Sequence, residues 1–295
     1  MLRFSAKPRK SVVRILSTLT VALILLVSQP TNADTLGDIR SSGEIRLAYR
    51  SDTPPFSSHN ADKQPEGFTI DLCSIIAEDI RIQLGLDDLK INWIRVNADN
   101  RIDAFASGEA HMECGATTIT FARQEKVDFS NLTYATGASL MRWNDADIDN
   151  IFDLVGKKVS VVGGTTTEKV IRDALETNRI SARVVVVGSH AEALQQLIDR
   201  RIDAMAADQA TLFGIGYKTQ CEDDLVITED MLSFEPYALP LPRNDADFRL
   251  VVNRSLSNLY IRGDVGRSWQ KWFGQHDVQP TRMLLMLYRL NSFVE

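Results

Sequence analysis

The spacing of apolar residues in the first half of the chain predicts strands that alternate with helices. Ile45, Leu47 and Tyr49 occupy every second position, as in a strand, and apolar residues recur at helical spacing over residues 70–84. A proline-rich loop is predicted between them, over residues 54–67. A strand, a short helix and a further strand are predicted over residues 91–94, 100–107 and 111–114. This order predicts a parallel sheet with helices packed on it.

The same order occurs again in the second half. Strands and helices are predicted there over residues 158–162, 165–175, 183–187, 191–200 and 202–207. Residues 101–114 and 195–208 are alike, since each segment is an apolar helix, a tight polar turn and a short strand that ends in polar residues. Ligands of open α/β sheets bind outside the carboxyl ends of the strands. Two such edges that face each other predict a cleft.

Two weakly polar stretches, residues 134–141 and 237–241, are predicted to cross between the halves. The predicted organisation is a first lobe over residues 34–138, a second lobe over 139–238, and a return to the first lobe over 239–295. A helix over residues 245–261 and the aromatic residues near Trp269 would then pack in the first lobe. The predicted fold class is α/β with two lobes, each a mainly parallel sheet flanked by helices.

The N-terminal residues 1–33 are predicted to be a signal peptide. Basic residues without any acid precede an uncharged apolar run over residues 15–27, which is the layout of a secretory signal. A retained membrane anchor is the alternative, but a spanning helix needs about 20 apolar residues. Small residues before Asp34 suggest cleavage there, and the first cysteine, Cys73, is too distant to carry a lipid. A soluble periplasmic protein is expected.

The net charge and the composition limit the kinds of partner and cofactor that are expected. Loss of the leader leaves 28 basic and 39 acidic residues, so the net charge changes from −6 to −11 and nucleic acid is not an expected partner. Cys73, Cys114 and Cys221 allow one disulfide and one free thiol, and the sequence does not select the pair. The chain has no C-x-x-C element and its four histidines are scattered, so no metal or other cofactor is predicted.

The first candidate site follows the strand that ends at Cys114. Thr117, Thr118 and Arg123 would bring hydroxyls, backbone N–H groups and a guanidinium together. That combination suits a carboxylate, because arginine presents a planar fork of donors that binds both oxygens. The alternative is a helix cap beside a solvated arginine.

The second candidate site is the equivalent turn in the other half, Gly163-Gly164-Thr165-Thr166. Glycine lets a ligand approach the backbone closely, and a helix N-terminus attracts anions. A capping box of Thr165 with Glu168 is the alternative, and the two interpretations are compatible. No Gly-Lys-Ser/Thr follows, which excludes a phosphate-binding Walker loop.

Two further residues stand at the same predicted edge. Asp208 follows an apolar strand and offers a carboxylate to an ammonium group, or caps the next helix. His190 begins a helix, as a ligand contact or only as a residue near the cap.

In this order, the elements resemble the amino-acid-binding family of bacterial periplasmic solute-binding proteins, and most of all its glutamate/aspartate-binding branch. The resemblance is carried by residues 48–50, 54–56, 67–72, 100–101, 113–118, 123, 164–166, 190 and 208. It implies a binder that closes about a hinge, in which Arg123 and Thr118 hold the ligand α-carboxylate and Asp208 receives its α-ammonium group. Thr165 and Thr166 would contribute from the second lobe.

The resemblance also implies that basic residues meet an acidic ligand side chain, and Arg50, Arg101 and His190 match those positions. The sequence departs from the branch at Ala98 and Ala116, where serine hydroxyls are usual, and at Thr69, where the family usually has an acid. The two alanines remove hydrogen bonds worth about 0.5 to 1.5 kcal/mol each.

The resemblance therefore implies a monomeric binding component that delivers an amino acid to an inner-membrane ABC permease. Two alternatives use the same fold. A sensor would present its closed form to a receptor instead of a permease. An enzyme such as a dehydratase would need a general acid or base in the cleft, for which Glu113 and His190 are the candidates.

Overall fold

The computed structural model describes residues 34–294 except 218, 220, 222 and 277. The predicted signal peptide, residues 1–33, lies outside the described residues. In the described part of the chain, no helix is both long and apolar enough to span a membrane.

The strands and helices follow the predicted order closely. Strands β1 to β13 span Glu44–Arg50, Asp52–Thr53, Ser57–His59, Pro65–Glu66, Lys90–Val96, Met112–Glu113, Asp128–Thr136, Ala138–Trp143, Lys158–Val162, Arg183–Val187, Ala204–Asp208, Leu225–Ile227 and Glu235–Leu241. Helices α1 to α10 span Thr35–Ser42, Phe68–Leu84, Asp103–Ala106, Phe121–Gln124, Thr166–Thr177, His190–Ile198, Gln209–Gly216, Ala246–Arg262, Asp264–Trp272 and Arg282–Leu290. Short 3₁₀ helices span Ile151–Leu154 and Gly274–His276.

The first sheet has the strand order β5-β1-β6, and all its pairs are parallel, as predicted. Side chains of β1 alternate between its two faces. Leu47 and Tyr49 lie in one hydrophobic cluster, and Ala48 lies in another with Val96. We refer to this sheet and the helices packed on it as the first lobe.

The second sheet has the order β10-β9-β11-β8-β12. Its first three strands are parallel, whereas β8 and β12 are antiparallel to their neighbours. Val161 and Ala206 contribute to the cluster on one face of this sheet, and Val162 and Met205 to the cluster on the other. This sheet and its helices are the second lobe.

The stretches predicted to cross between the halves fall in extended strands. Strands β7 and β13 pair antiparallel, with Thr136 opposite Glu235, and β7 continues through Gly137 into β8 of the second sheet. The boundaries at residues 138 and 238 stay a prediction.

The C-terminal helices pack against the N-terminal part of the chain. Trp269 and Phe273 stack on Tyr134, and Phe68 meets both rings edge-on. These rings share one hydrophobic cluster with Phe248 of α8. The expected packing of this aromatic group is therefore observed.

A disulfide joins Cys73 in α2 to Cys114 after β6, with Cα atoms 6.0 Å apart. Cys221 is a free thiol. The bond connects the residues after β6, where the first candidate site begins, to helix α2, which covers the first sheet.

His111 makes stability depend on pH. Its ring Nδ1 accepts the backbone N–H of Arg46 at 3.2 Å, and burial, with a smaller effect of the Arg46 charge, lowers the pKa of His111 to about 4. The unfolded chain takes up this proton near pH 6.5. Unfolding therefore binds a proton between these two values, and we expect the free energy of unfolding to fall by up to about 3 kcal/mol as pH decreases through this window.

Urea unfolding at a series of pH values measures this dependence. His111→Asn keeps an acceptor for Arg46 and should flatten the slope between pH 6.5 and pH 4. His59→Asn, which replaces an exposed histidine, is the control and should keep the wild-type slope. Equal slopes in wild type and His111→Asn would show that other groups cause the dependence.

Candidate functional site

The carboxyl ends of strands from both sheets meet at one cavity. Arg50 ends β1, residues 116–118 follow β6, residues 165–167 follow β9, and Asp208 ends β11. The gap between these side chains, together with the solvent-open space at its mouth, is about 340 Å³. The lining consists of Arg50, Thr53, Arg101, Ala116, Thr118, Arg123, Thr165, Thr166, Thr167, His190, Asp208 and Thr211. The structure thus brings together every predicted ligand-binding residue except Thr117.

Arg123 is held at the cavity by the loop that precedes it. Helix α4 begins after Thr120, whose hydroxyl accepts the Arg123 backbone N–H at 3.2 Å. The Arg123 guanidinium donates from Nη1 to the carbonyl oxygen of Thr118 at 2.7 Å. Burial lowers the pKa of Arg123, against the opposing charge of Glu113. Arg123 is half-buried at the cavity wall, so the alternative interpretation holds for the helix cap, which Thr120 provides, and not for a fully solvated arginine.

Arg101 is a second cavity cation, and it is almost fully buried. Only 2% of its surface is exposed, and its Nη1 donates to the carbonyl oxygen of Ala98. Its Nε has no hydrogen-bond partner among the described residues. Burial lowers the pKa of Arg101 to about 9, which still leaves it charged at neutral pH. A buried donor without a partner costs about 1 to 3 kcal/mol, so an acceptor near Arg101 would be stabilised.

Thr117 does not line the cavity. Its hydroxyl donates to Oε2 of Glu113 at 2.8 Å, and both residues are fully buried. The other oxygen of Glu113, Oε1, has no partner among the described residues. The Glu113 charge raises the pKa values of Arg101 and Arg123 against the effect of burial. Glu113 therefore acts as an anion close to two cavity cations, and Thr117 holds it.

The second lobe contributes a turn that also caps a helix. The Thr165 hydroxyl accepts the Glu168 backbone N–H at 3.2 Å and donates to the Val162 carbonyl at 2.7 Å. Thr165 therefore caps the helix as the alternative predicted, but the Glu168 carboxylate accepts the N–H of Gly164 at 3.2 Å and not that of Thr165, so the capping box is incomplete. The hydroxyls of Thr166 and Thr118 lie 3.4 Å apart, so the two lobes touch across the cavity.

Gly164 allows this close approach. Its φ of +70° lies in the left-handed region, and a Cβ there would come within 2.5 Å of Oδ1 of Asp99 in the first lobe. A side chain at this position would be strained and would meet the opposite lobe.

Asp208 is the one acidic residue in the lining. Its Oδ1 accepts the Thr167 hydroxyl at 2.9 Å, and its Oδ2 accepts the hydroxyl of Tyr237. It makes no side-chain capping bond to α7, which it precedes. Burial raises the pKa of Asp208, and the nearby charge of Glu235 raises it further. A positive group beside Asp208 would favour the ionised form.

Several site residues were not singled out from the sequence. Thr53, Thr167 and Thr211 line the cavity, and Asp52 lies directly behind Arg50. The sequence position of Asp52, two residues after Arg50, is the signal from which this ion pair could have been predicted. Among the described residues, no group of three or more His, Cys, Asp or Glu side chains is placed to hold a metal ion.

A model of the bacterial extracellular solute-binding proteins, family 3, matches residues 45–275. The chain belongs to this family. It is 32% identical over 266 residues to the L-glutamate/L-aspartate-binding protein of Pseudomonas aeruginosa, covering 88% of this chain and 87% of that protein. It is 28% identical over 263 residues to the glutamate/aspartate import solute-binding protein of Salmonella typhimurium, covering 89% and 86%.

A solved structure shares the fold of this family member. The crystal structure of an ancestral amino acid-binding protein, a precursor of cyclohexadienyl dehydratase, matches with a TM-score of 0.69 and 27% identity. The match covers 82% of this chain and 100% of that chain. The predicted family and the predicted α/β fold, a two-lobed periplasmic-binding-protein fold of type II, are both confirmed.

Proposed function

We propose that this solute-binding protein is the periplasmic component of an amino-acid ABC transporter, and that it binds glutamate or aspartate between its lobes. It would deliver the ligand, as a monomer, to a permease in the inner membrane. The observation that carries the proposal is the excess of guanidinium groups in the cavity: Arg50, Arg101 and Arg123 line it, with His190 beside them, against a single lining carboxylate, Asp208. Both curated relatives described above are named for glutamate and aspartate.

The ligand's α-carboxylate would bind Arg123 and Thr118. The Arg123 guanidinium is fixed by the Thr118 carbonyl, and it lies in a buried wall where a charge-assisted pair is strong. The α-ammonium group would bind Asp208, whose carboxylate accepts two hydroxyls but faces no cation at hydrogen-bond distance among the described residues. The ammonium group would supply that charge.

The distal carboxylate would lie near Arg101, with Arg50 and His190 beside it. The buried Arg101 Nε has no acceptor among the described residues, whereas a ligand carboxylate offers two oxygens. Ala98 and Ala116 have no hydroxyl that could donate a hydrogen bond to this carboxylate. The acidic ligand would therefore depend on guanidinium groups more than on neutral donors.

Binding would close the lobes about the strands that connect them. Residues 117–119 pair with β13, through the bonds Ile119 N–H to Pro236 carbonyl, 2.9 Å, and Ala238 N–H to Thr117 carbonyl, 3.2 Å. The loop that carries Thr118 is thus attached to the connecting strand. We place the hinges near Ala138 and Ala238.

We propose binding and not catalysis. Glu113, one of the two candidate acid-base groups, does not line the cavity, and its Oε2 accepts the Thr117 hydroxyl. His190, the other, has Nδ1 at 2.9 Å from the carbonyl oxygen of Asp52. The related dehydratase precursor is itself described as an amino acid-binding protein.

Calorimetry of the purified protein against the common amino acids tests the proposal. Glutamate and aspartate should bind most tightly, and a thermal-shift screen should rank them in the same order, since a ligand bound only by the folded state stabilises it. If glutamine binds as tightly as glutamate, the acidic assignment fails and the amino-acid assignment stands. If no amino acid binds, both fail.

Arg101→Met should reduce the preference for glutamate over glutamine. The variant keeps the unbranched stem of the side chain and removes the guanidinium charge that favours a carboxylate. Hydrogen bonds to charged groups are worth about 1.5 to 3 kcal/mol, so the ratio of the two dissociation constants should shrink by roughly 10- to 150-fold. Glutamine binding should change little.

Arg40→Met is the matched control, because it removes one exposed positive charge on α1 outside the cavity. It should leave the ratio unchanged. An unchanged ratio in Arg101→Met would instead exclude Arg101 from the side-chain pocket.

A further inference from the structure

Asp52 forms a bidentate ion pair with a cavity cation. It lies in the short strand β2, two residues after Arg50. Arg50 donates from Nε to Oδ1 at 3.0 Å and from Nη2 to Oδ2 at 2.9 Å. The Arg50 and Asp52 side chains are 4% and 16% exposed. The pair therefore fixes the plane of the Arg50 guanidinium at the cavity wall and balances its charge.

The same aspartate also contacts the second lobe. The backbone N–H of His190, the first residue of α6, donates to Asp52 Oδ2 at 3.4 Å. The His190 ring Nδ1 lies 2.9 Å from the Asp52 carbonyl oxygen and 3.5 Å from Oδ2. A carbonyl oxygen only accepts, so Nδ1 carries the hydrogen in this contact. Nε2 is then the ring nitrogen that remains for other partners.

The contacts keep Asp52 ionised. Burial alone would raise the pKa of Asp52, but the hydrogen bond with His190 and the charge of Arg50 outweigh it and hold the pKa well below its usual range. The contact of Asp52 with His190 is made only when the lobes are closed, whereas its pair with Arg50 lies within the first lobe.

We propose that Asp52 is a positioning residue that orients Arg50 and His190 at the cavity and joins the two lobes in the closed form, which slows ligand release. This inference rests on the proposed function, because it assumes that the cleft opens to release an amino acid. Most differences in affinity among variants of one site arise in the dissociation rate. The role of Asp52 should therefore appear in dissociation and not in association.

A double-mutant cycle tests this role. Stopped-flow fluorescence would measure glutamate association and dissociation for the wild type, Asp52→Asn, His190→Ala and the double variant. Each single variant should dissociate glutamate roughly 10-fold faster or more, with an association rate within about threefold of the wild type. The double variant should dissociate glutamate more slowly than the product of the two single effects gives, because both changes remove the approach of His190 Nδ1 to Asp52 Oδ2 at 3.5 Å.

Asp62→Asn is the matched control, since Asp62 is an exposed acid in the loop after β3. It should leave both rates unchanged. Urea unfolding of the ligand-free protein separates the proposed role from a purely structural one. His190→Ala removes a contact made only on closure and should leave the free energy of unfolding of the open form nearly unaltered, whereas Asp52→Asn also weakens the Arg50 pair within the first lobe and should lower it.

Multiplicative effects of the two single variants on the dissociation rate would overturn the proposal. So would an Asp52→Asn variant whose only change is a lower free energy of unfolding. In both cases, glutamate binding by the wild-type protein would leave the proposed function intact. If the wild-type protein bound no amino acid, the proposed function would be overturned and, with it, the role of Asp52.

Discussion

Arg123→Ala should abolish binding of every amino acid, or weaken it by orders of magnitude. The α-carboxylate is common to all amino acids, and Arg123 is the cavity cation held by Thr118. Its removal would leave that carboxylate without its charged partner. Breaking a buried charge pair costs about 3 to 5 kcal/mol, so calorimetry should find affinity reduced by roughly 10²- to 10³-fold or more. Glutamate and glutamine should lose a similar factor.

Arg123→Lys is the matched variant, because it keeps the charge and loses the planar fork of donors. It should fall between the wild type and Arg123→Ala for both ligands. A loss confined to glutamate would assign Arg123 to the side-chain pocket. Near-normal affinity in Arg123→Ala would place the binding site elsewhere in the protein.

The parallel strands could be predicted because their apolar residues alternate and their boundaries carry polar residues. Strands β9 and β10, for example, coincide with the predicted residues 158–162 and 183–187. Those strand ends then predicted which side chains meet, because parallel strands direct their carboxyl ends to one edge. Arg50, Thr118 and Asp208 reach one cavity for this reason.

The prediction for Thr117 did not take the direction of its side chain into account. Successive side chains of an extended chain point to opposite sides. Thr118 forms an isolated antiparallel bridge with Tyr237 and lines the cavity, so its neighbour Thr117 points away to Glu113. The pattern of two adjacent threonines contained this alternation, and only one of them could face the cavity.

Contacts between distant segments could not be predicted. The choice of Cys73 and Cys114 depends on packing between α2 and the end of β6, 41 residues apart, which spacing alone does not determine. Asp52 lies in a two-residue strand too short for a periodic signal, and its partner His190 lies 138 residues away. The antiparallel strands β8 and β12 likewise join the second sheet through tertiary pairing.

Helix α7 is positioned to test whether the lobes separate. Leu212 and Ile215 on this helix pack in the hydrophobic cluster of the second lobe. Gly214 faces the first lobe, where a Cβ would lie 2.5 Å from the Pro54 carbonyl group and from the Pro55 nitrogen. These are backbone atoms, so the first lobe cannot move a side chain aside to make room.

Gly214→Ala should therefore oppose closure without unfolding the protein. Alanine favours a helix over glycine by roughly 0.5 to 1 kcal/mol, so the open, ligand-free form should be as stable as the wild type or more stable. The closed form would meet the added methyl group, and overpacking of about 1 to 3 kcal/mol should weaken glutamate binding by roughly 5- to 150-fold. Small-angle scattering should show a ligand-induced compaction in the wild type that the variant reaches only at higher glutamate concentration.

Gly216→Ala, two residues further along the same helix, is the control that isolates closure from helix propensity. A Cβ there would lie 3.3 Å from Cε of Met141, the flexible end of a side chain within the second lobe. This variant should bind glutamate nearly as the wild type does. Equal affinities in the two variants would show that closure does not depend on the contact of α7 with Pro54 and Pro55. A lower free energy of unfolding in ligand-free Gly214→Ala would show that the contact is permanent, because a methyl group forced into a closed interior destabilises the folded state whether or not ligand is present.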